Sequence, residues 1–264
     1  MCESSKESGT IMGKEKVIAV AGKGGTGKTT FTALLLRHLT NAHKNKDILA
    51  VDADANANLN EALGLEIEET ISQALVDTKD PRVVPSGMTK DMFMEMRISQ
   101  AMVESDQVDL LVMGNPSGPG CYCFPNDLLR KYLENLRPNY DYVAVDNEAG
   151  MEHLSRRIID DVDTIIITSD ASARGIRSAG RVYEIIKSVK IKTKTVYLVI
   201  TKTRNEDVQA LQEEIDKTGL ELLGTVPLDE KVVEFDLEGK PLFDLPDDSQ
   251  AVQAIEKIAA KLIL

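Results

Sequence analysis

An apolar run, Val-Ile-Ala-Val-Ala at 17–21, passes directly into Gly22-Lys23-Gly24-Gly25-Thr26-Gly27-Lys28-Thr29-Thr30. No other feature constrains the fold of this 264-residue chain as much. The pattern G-x-x-x-x-G-K-[ST] is met by Gly22, Gly27, Lys28 and Thr29, with a strand pattern before it and a helical pattern after it. Glycines let the backbone curl until successive N–H groups and the helix N-terminus face the oxygens of a phosphate. Gly24, Gly25, Thr26, Gly27, Lys28, Thr29 and Thr30 are therefore expected to cradle a polyphosphate. Lys28 would reach its outer oxygens and the Thr29 hydroxyl would bind Mg²⁺.

Short β-branched runs recur at 17–21, 48–51, 110–113, 142–145, 164–168, 196–200 and 222–226. Continuous apolar runs of this kind suit strands covered on both faces. Helical patterns lie between them at about 28–43, 56–63, 124–136, 152–160, 174–188 and 206–218, and a last one begins near Ser249. The alternation predicts an α/β fold: one P-loop NTPase domain over 16–264, with a mostly parallel central sheet flanked by helices on both faces. Residues 1–15 are polar and aperiodic and read as a flexible tail, with Cys2 an incidental thiol inside it. The stretch 80–107, with Pro81, Pro85 and Gly87, breaks the rhythm and reads as an insertion of helix and loop. Its methionines, Met88, Met92, Met94, Met96 and Met102, suit a core or an interface better than a soft-metal site.

The formal net charge of −12 works against a DNA-coating role, because non-specific DNA binding depends on lysines and arginines that neutralise phosphates. The last helical segment carries Lys257 and Lys261 against Glu256 and is otherwise mostly apolar, which suits core packing better than a membrane surface. With no apolar run of 18 residues and no secretory leader pattern, the expectation is a cytoplasmic protein without nucleic-acid or membrane partners.

Lys23 adds information to the loop, since K-G-G-x-G-K-T-T resembles the deviant Walker A motif of the MinD, ParA and nitrogenase iron protein superfamily of ATPases. The resemblance implies a homodimer in which Lys23 reaches across the interface to the partner's nucleotide. Two further stretches resemble that family's switch regions. In Asp52-Ala53-Asp54-Ala55-Asn56, the resemblance gives Asp54 the attacking water and Asp52 the Mg²⁺ environment. In Val143-Ala144-Val145-Asp146-Asn147-Glu148-Ala149-Gly150, it puts Asp146 on a Mg²⁺-bound water and Gly150 near the γ-phosphate. Where the family often has an Asn against adenine, this chain has Thr201-Lys202-Thr203; Thr201 and backbone contacts from Pro227-Leu228-Asp229 are the remaining candidates for the base. ATP is preferred over GTP on the resemblance alone.

Cys121 and Cys123 stand one residue apart after Gly118-Pro119-Gly120. In an extended segment residues i and i+2 project to one face, so both thiols can meet one ion. Two ligands do not close a tetrahedral or square-planar site, and a symmetric dimer would supply four thiolates, suited to Zn²⁺ or to Ni²⁺. A bare C-x-C also admits redox pairing or chance. Together with Asn126 and the run Asp146-Asn147-Glu148-Ala149-Gly150-Met151-Glu152-His153, the pair resembles the CooC family of nickel-insertion ATPases. That resemblance implies ATP and Mg²⁺ as cofactors, Ni²⁺ (with Zn²⁺ able to occupy the same site) held between subunits, and apo carbon monoxide dehydrogenase or acetyl-CoA synthase as client. His153 reads as a helix-start residue supporting the switch rather than as a ligand. The competing readings are an iron–sulfur reductase or scaffold ATPase of the same superfamily, and a ParA- or MinD-like spatial regulator.

Overall fold

The computed structural model describes residues 15–77, 82–115, 123–148, 161–189, 191–204 and 207–262. Seven strands form one sheet: β1 (Lys16–Gly22), β2 (Ile48–Ala53), β3 (Asp109–Val112), β4 (Tyr142–Asn147), β5 (Asp161–Asp170), β6 (Lys192–Thr203) and β7 (Glu221–Pro227). Their order is β3-β2-β4-β1-β5-β6-β7, and every pairing is parallel. Each expected apolar run is a strand; β5 extends beyond its run into Asp161–Asp163 and Ser169–Asp170, and β6 extends beyond its own into alternating Lys and Thr positions. β1 lies between β4 and β5, so the chain winds to opposite sides of it, and the crevice beyond its carboxyl end is where such sheets bind ligands.

Nine α-helices occur among the described residues: α1 (Lys28–Ala42), α2 (Leu59–Leu63), α3 (Ile71–Asp77), α4 (Lys90–Gln100), α5 (Cys123–Leu136), α6 (Ala173–Ser188), α7 (Asp207–Thr218), α8 (Glu230–Glu238) and α9 (Gln250–Lys261). The two-residue period of β1 divides the core. Val17, Ala19 and Ala21 pack with Ile98 of α4, Leu133 of α5 and Ile176 of α6, whereas Ile18 and Val20 pack with Phe31 and Leu34 of α1 and Ile255 of α9. The last helix buries Ala251, Val252, Ile255, Ile258 and Ala259, consistent with a core rather than a membrane stripe. No helix among the described residues is long and apolar enough to cross a membrane.

The expected helix at 56–63 starts at Leu59, since residues 55–58 make a turn in which Ala57 adopts φ 54°. The 80–107 insertion contains α4, capped by Thr89 Oγ1 accepting from Met92 N. Met94 is buried in the core, Met102 packs against it with its sulfur accepting from the Tyr140 hydroxyl, and Met92 is exposed. Helices α3 and α8 were not expected. The proposed helix at 152–160 and most of the 1–15 tail lie outside the described residues.

Candidate nucleotide site

The phosphate-loop sequence folds into a loop tied to β5 and β6, and the strand leading into it is tied to β4. Gly22, at φ +154°, has no space for a side chain: a Cβ there would come within 2.6 Å of the Thr168 carbonyl oxygen and hydroxyl. Thr26 Oγ1 lies 2.7 Å from Lys23 O, to which it donates, and 2.8 Å from Thr168 Oγ1 on β5. Thr201 Oγ1 on β6 donates to Thr26 O at 2.8 Å, and Asn147 Nδ2 on β4 donates to Val20 O at 2.9 Å. Gly27, in the left-handed region, is the N-cap of α1 and offers no side-chain acceptor. The first N–H groups of a fifteen-residue helix therefore open onto the loop, the arrangement that attracts an anion.

Below the loop lie two buried carboxylates in register on adjacent strands, Asp52 on β2 and Asp146 on β4. Thr29 Oγ1 donates to Asp146 Oδ2 at 2.6 Å, while Asp146 Oδ1 is buried without a hydrogen-bond partner among the described residues. Burial pushes the Asp146 carboxyl up to about 7; the Thr29 hydrogen bond and the Lys28 charge pull it down, and Asp52 and Asp54 add to the rise. Asp52 is pushed up to about 6, again by burial, although its oxygens accept from Leu59 N and Asp54 N at 2.9 Å. Asp52 thus organises the turn that presents Asp54, whose Oδ1 accepts from Asn56 N and Nδ2. An unmatched buried carboxylate oxygen beside a hydroxyl is a hard-oxygen environment that a divalent cation or its bound water satisfies, so these residues fit Mg²⁺.

A cleft of about 560 Å³ opens above them. Gly24, Gly25, Gly27, Lys28, Thr29 and Thr30 of the loop line it together with Asp54, Asn56 and Asn58. Apolar lining comes from Val226, Pro227, Leu228, Val232 and Ile255, and Thr201 and Lys202 also line the cleft. A lining that combines a phosphate loop with apolar surface for a base suits a nucleotide. Asp229 does not read the base, because its oxygens accept from Lys231 N, Ser249 Oγ and Ala251 N. Burial pushes its carboxyl up, but these donors outweigh that and hold it below the ordinary value.

Of the residues expected from the sequence, Gly24, Gly25, Gly27, Lys28, Thr29, Thr30, Asp54, Thr201 and Pro227 line the cleft. Asp52 and Asp146 lie beneath it. Thr26 is buried and engaged in holding the loop, and Lys23 is exposed. Gly150 and Cys121 lie outside the described residues, as does the side chain of Cys123, whose backbone opens α5. Among the described residues no group of three or more His, Cys, Asp or Glu is arranged to hold a metal. The sequence reading missed Asn56, Asn58 and Lys202 as cleft residues; the only signal for the first two was their place in the segment after β2.

Residues 17–242 match the model of the CobQ/CobB/MinD/ParA nucleotide binding domain. The chain belongs to this family. It is a P-loop ATPase, with the seven-stranded parallel sheet of the MinD and ParA proteins. It is 41% identical over 250 residues to an uncharacterized ATP-binding protein of Methanocaldococcus jannaschii, covering 94% of this chain and 98% of that one. It is 31% identical over 241 residues to the carbon monoxide dehydrogenase accessory protein CooC of Rhodospirillum rubrum, covering 86% and 89%. Among solved structures, the MinD cell division protein of Aquifex aeolicus superposes with a TM-score of 0.68 at 26% identity, covering 94% of this chain and 96% of that one. The CooC-type resemblance drawn from the motifs is thus matched over most of the chain.

Proposed function

We propose that this ATPase is a nickel metallochaperone. It binds Ni²⁺ through Cys121 and Cys123 of two subunits and delivers the ion to apo carbon monoxide dehydrogenase or apo acetyl-CoA synthase. The observation that carries the reading is the 31% identity to a carbon monoxide dehydrogenase accessory protein over most of both chains, in a sequence that also has two thiols one residue apart. Lys28 and the open N–H groups of α1 hold the phosphates of ATP, and the Thr29 hydroxyl and Asp146 carboxylate hold Mg²⁺. The bound cation neutralises charge on the phosphate oxygens. Asp54 orients the attacking water, and Lys23 reaches the nucleotide of the partner subunit. In the sequence, helix α5 and a short turn at 137–139 separate Cys123 from β4, the strand that carries Asp146.

Anaerobic nickel titration followed by sedimentation tests the shared site. The expected result is one Ni²⁺ per dimer, with metal and dimerisation strengthening each other and both lost in the Cys121→Ser/Cys123→Ser variant. One ion per monomer without dimerisation, or unchanged affinity in the double variant, refutes it. The likeness to MinD supports a second reading, spatial regulation at a membrane. That reading gives the cysteines no role, and ATP-dependent co-sedimentation with anionic vesicles would favour it over nickel transfer.

A further inference from the structure

Two residues other than glycine have positive φ among the described residues, Ala57 at 54° and Lys202 at 55°, and both flank the nucleotide cleft. For a residue with a long side chain this conformation costs about 1–2 kcal/mol, and such strain persists where the surroundings require it. At Lys202 the cause is visible. The ladder between β6 and β7 slips between Thr201 and Thr203, so Lys202 occupies a bulge at the carboxyl end of β6. Bulges beside a site re-aim a side chain that a regular strand would direct elsewhere. Here the re-aimed ammonium reaches the phosphate loop: Lys202 Nζ donates to Gly25 O at 2.9 Å.

The neighbouring residue shows what this contact adds. Thr201, on the regular part of β6, fixes the loop from inside through Thr26 O. Lys202 fixes it from the solvent side through Gly25 O, one peptide earlier. Gly25, at φ +78°, has no atom within 4 Å of where a Cβ would sit, and its peptide is held on the N–H side by Thr26 N donating to Lys23 O at 3.3 Å and on the carbonyl side by Lys202. A carbonyl oxygen turned toward bound phosphates would repel them, and a cation that draws it outward prevents this.

We propose that Lys202 is a positioning residue of the phosphate loop. Its ammonium, delivered by the left-handed bulge, latches the Gly25 carbonyl and holds the loop in its phosphate-binding shape. The proposal rests on the nucleotide reading of this cleft. Its effect falls on affinity, because the latch shapes the ground-state cradle rather than the reacting atoms.

The test compares Lys202→Met, Lys202→Arg and Lys202→Gly in Mg·ADP binding by calorimetry and in steady-state ATP hydrolysis. Wild-type binding of ADP is the control: its failure would overturn the nucleotide reading itself. With that control satisfied, Lys202→Met is expected to raise the ADP Kd and the KM for ATP about tenfold with kcat within about threefold, as loss of a charged hydrogen bond in a partly exposed setting implies. Lys202→Arg should recover most of the affinity. Lys202→Gly removes the latch and the backbone strain together, so it should lose the same affinity while its melting temperature stays at or above wild type. Unchanged ADP affinity in the Met variant overturns the latch, and so does Gly-variant affinity equal to wild type, which would mean that only the backbone conformation matters.

Discussion

The two ends of the same parallel sheet both carry aspartates, and they treat them in opposite ways. At the carboxyl end, Asp146 is almost wholly buried, has one oxygen unmatched among the described residues and has its carboxyl raised to about 7, and Asp52 beside it is raised to about 6. At the amino end, Asp163 accepts from Val17 N at 2.8 Å and from the Lys194 ammonium, and Asp141 pairs with Lys46 at 2.7 Å. Burial pushes Asp163 up, but those donors outweigh it and hold it below the ordinary value. Glu15, also at this end, pairs with Arg137. Charge matched within the fold stabilises it; charge left unmatched beside a phosphate loop is held ready for a ligand. The contrast predicts that substitutions at the carboxyl end alter chemistry more than stability, and that those at the amino end do the reverse.

The largest effect should come from the two loop lysines. Lys28, buried in the cradle, is expected to be required for nucleotide binding, so Lys28→Ala should show no ATP binding by calorimetry. Lys23 is exposed and outside its own cleft, so Lys23→Ala should bind ATP yet lose about 10³-fold or more in hydrolysis, the range for a cation supplied in trans. Equal hydrolysis by wild type and Lys23→Ala would remove the cross-subunit role and leave Lys23 a solvated charge. Next in size is Asp54, which faces the cleft from a turn built on Asp52. Asp54→Asn should bind ATP and dimerise but hydrolyse about 10²-fold or more slowly. Sedimentation showing only monomer with ATP and Mg²⁺, where wild type dimerises, would mean the residue assembles the interface instead.

A smaller effect separates function from stability at Asp146. Asp146→Asn removes a buried charge that has one hydrogen bond and one unmatched oxygen, so the metal-free variant should melt within a few degrees of wild type or above it at pH 8, while Mg²⁺-dependent hydrolysis falls by two orders of magnitude or more. Differential scanning calorimetry with and without Mg·ATP reads both. A variant that melts far below wild type without ligand would place Asp146 among the structural aspartates and erase the contrast.

All seven strands were legible because buried parallel strands are written as continuous apolar runs, and the loop because its glycines and lysine keep a fixed spacing. The strand order was not legible, since it depends on which side of β1 each crossover takes. Helix α8 was missed for a physical reason: none of its residues is fully buried, only Val232 and Phe235 pack partly against the core, and Val233 and Leu237 face solvent, so its apolar stripe is too short to mark it. At the site, Lys28, Thr29 and Asp54 could be read from local motifs. The service of Asp229 to two helix ends, and the bulge that turns Lys202, depend on contacts 20 to 177 residues apart that no local pattern records.

The smallest effect tests the amino end. Because Asp163 has a folded-state value below its ordinary 3.8, the unfolded chain binds the extra proton first as pH falls. Its stabilisation is therefore present above pH 4 and is lost as pH falls through the lower folded value. Asp163→Asn keeps an oxygen for Val17 N–H but loses the charge facing Lys194, whose side chain is 79% exposed, so solvent screens most of the pair. The expected loss is about 0.5–1 kcal/mol at pH 7, or roughly 1–3 °C in a domain of this size. Melting curves recorded from pH 7 down to pH 3 should show wild type and variant converging as the acid removes the advantage. Curves that stay parallel would mean that the Val17 hydrogen bond and packing alone stabilise this end, and that the ion pair is an ornament of the surface.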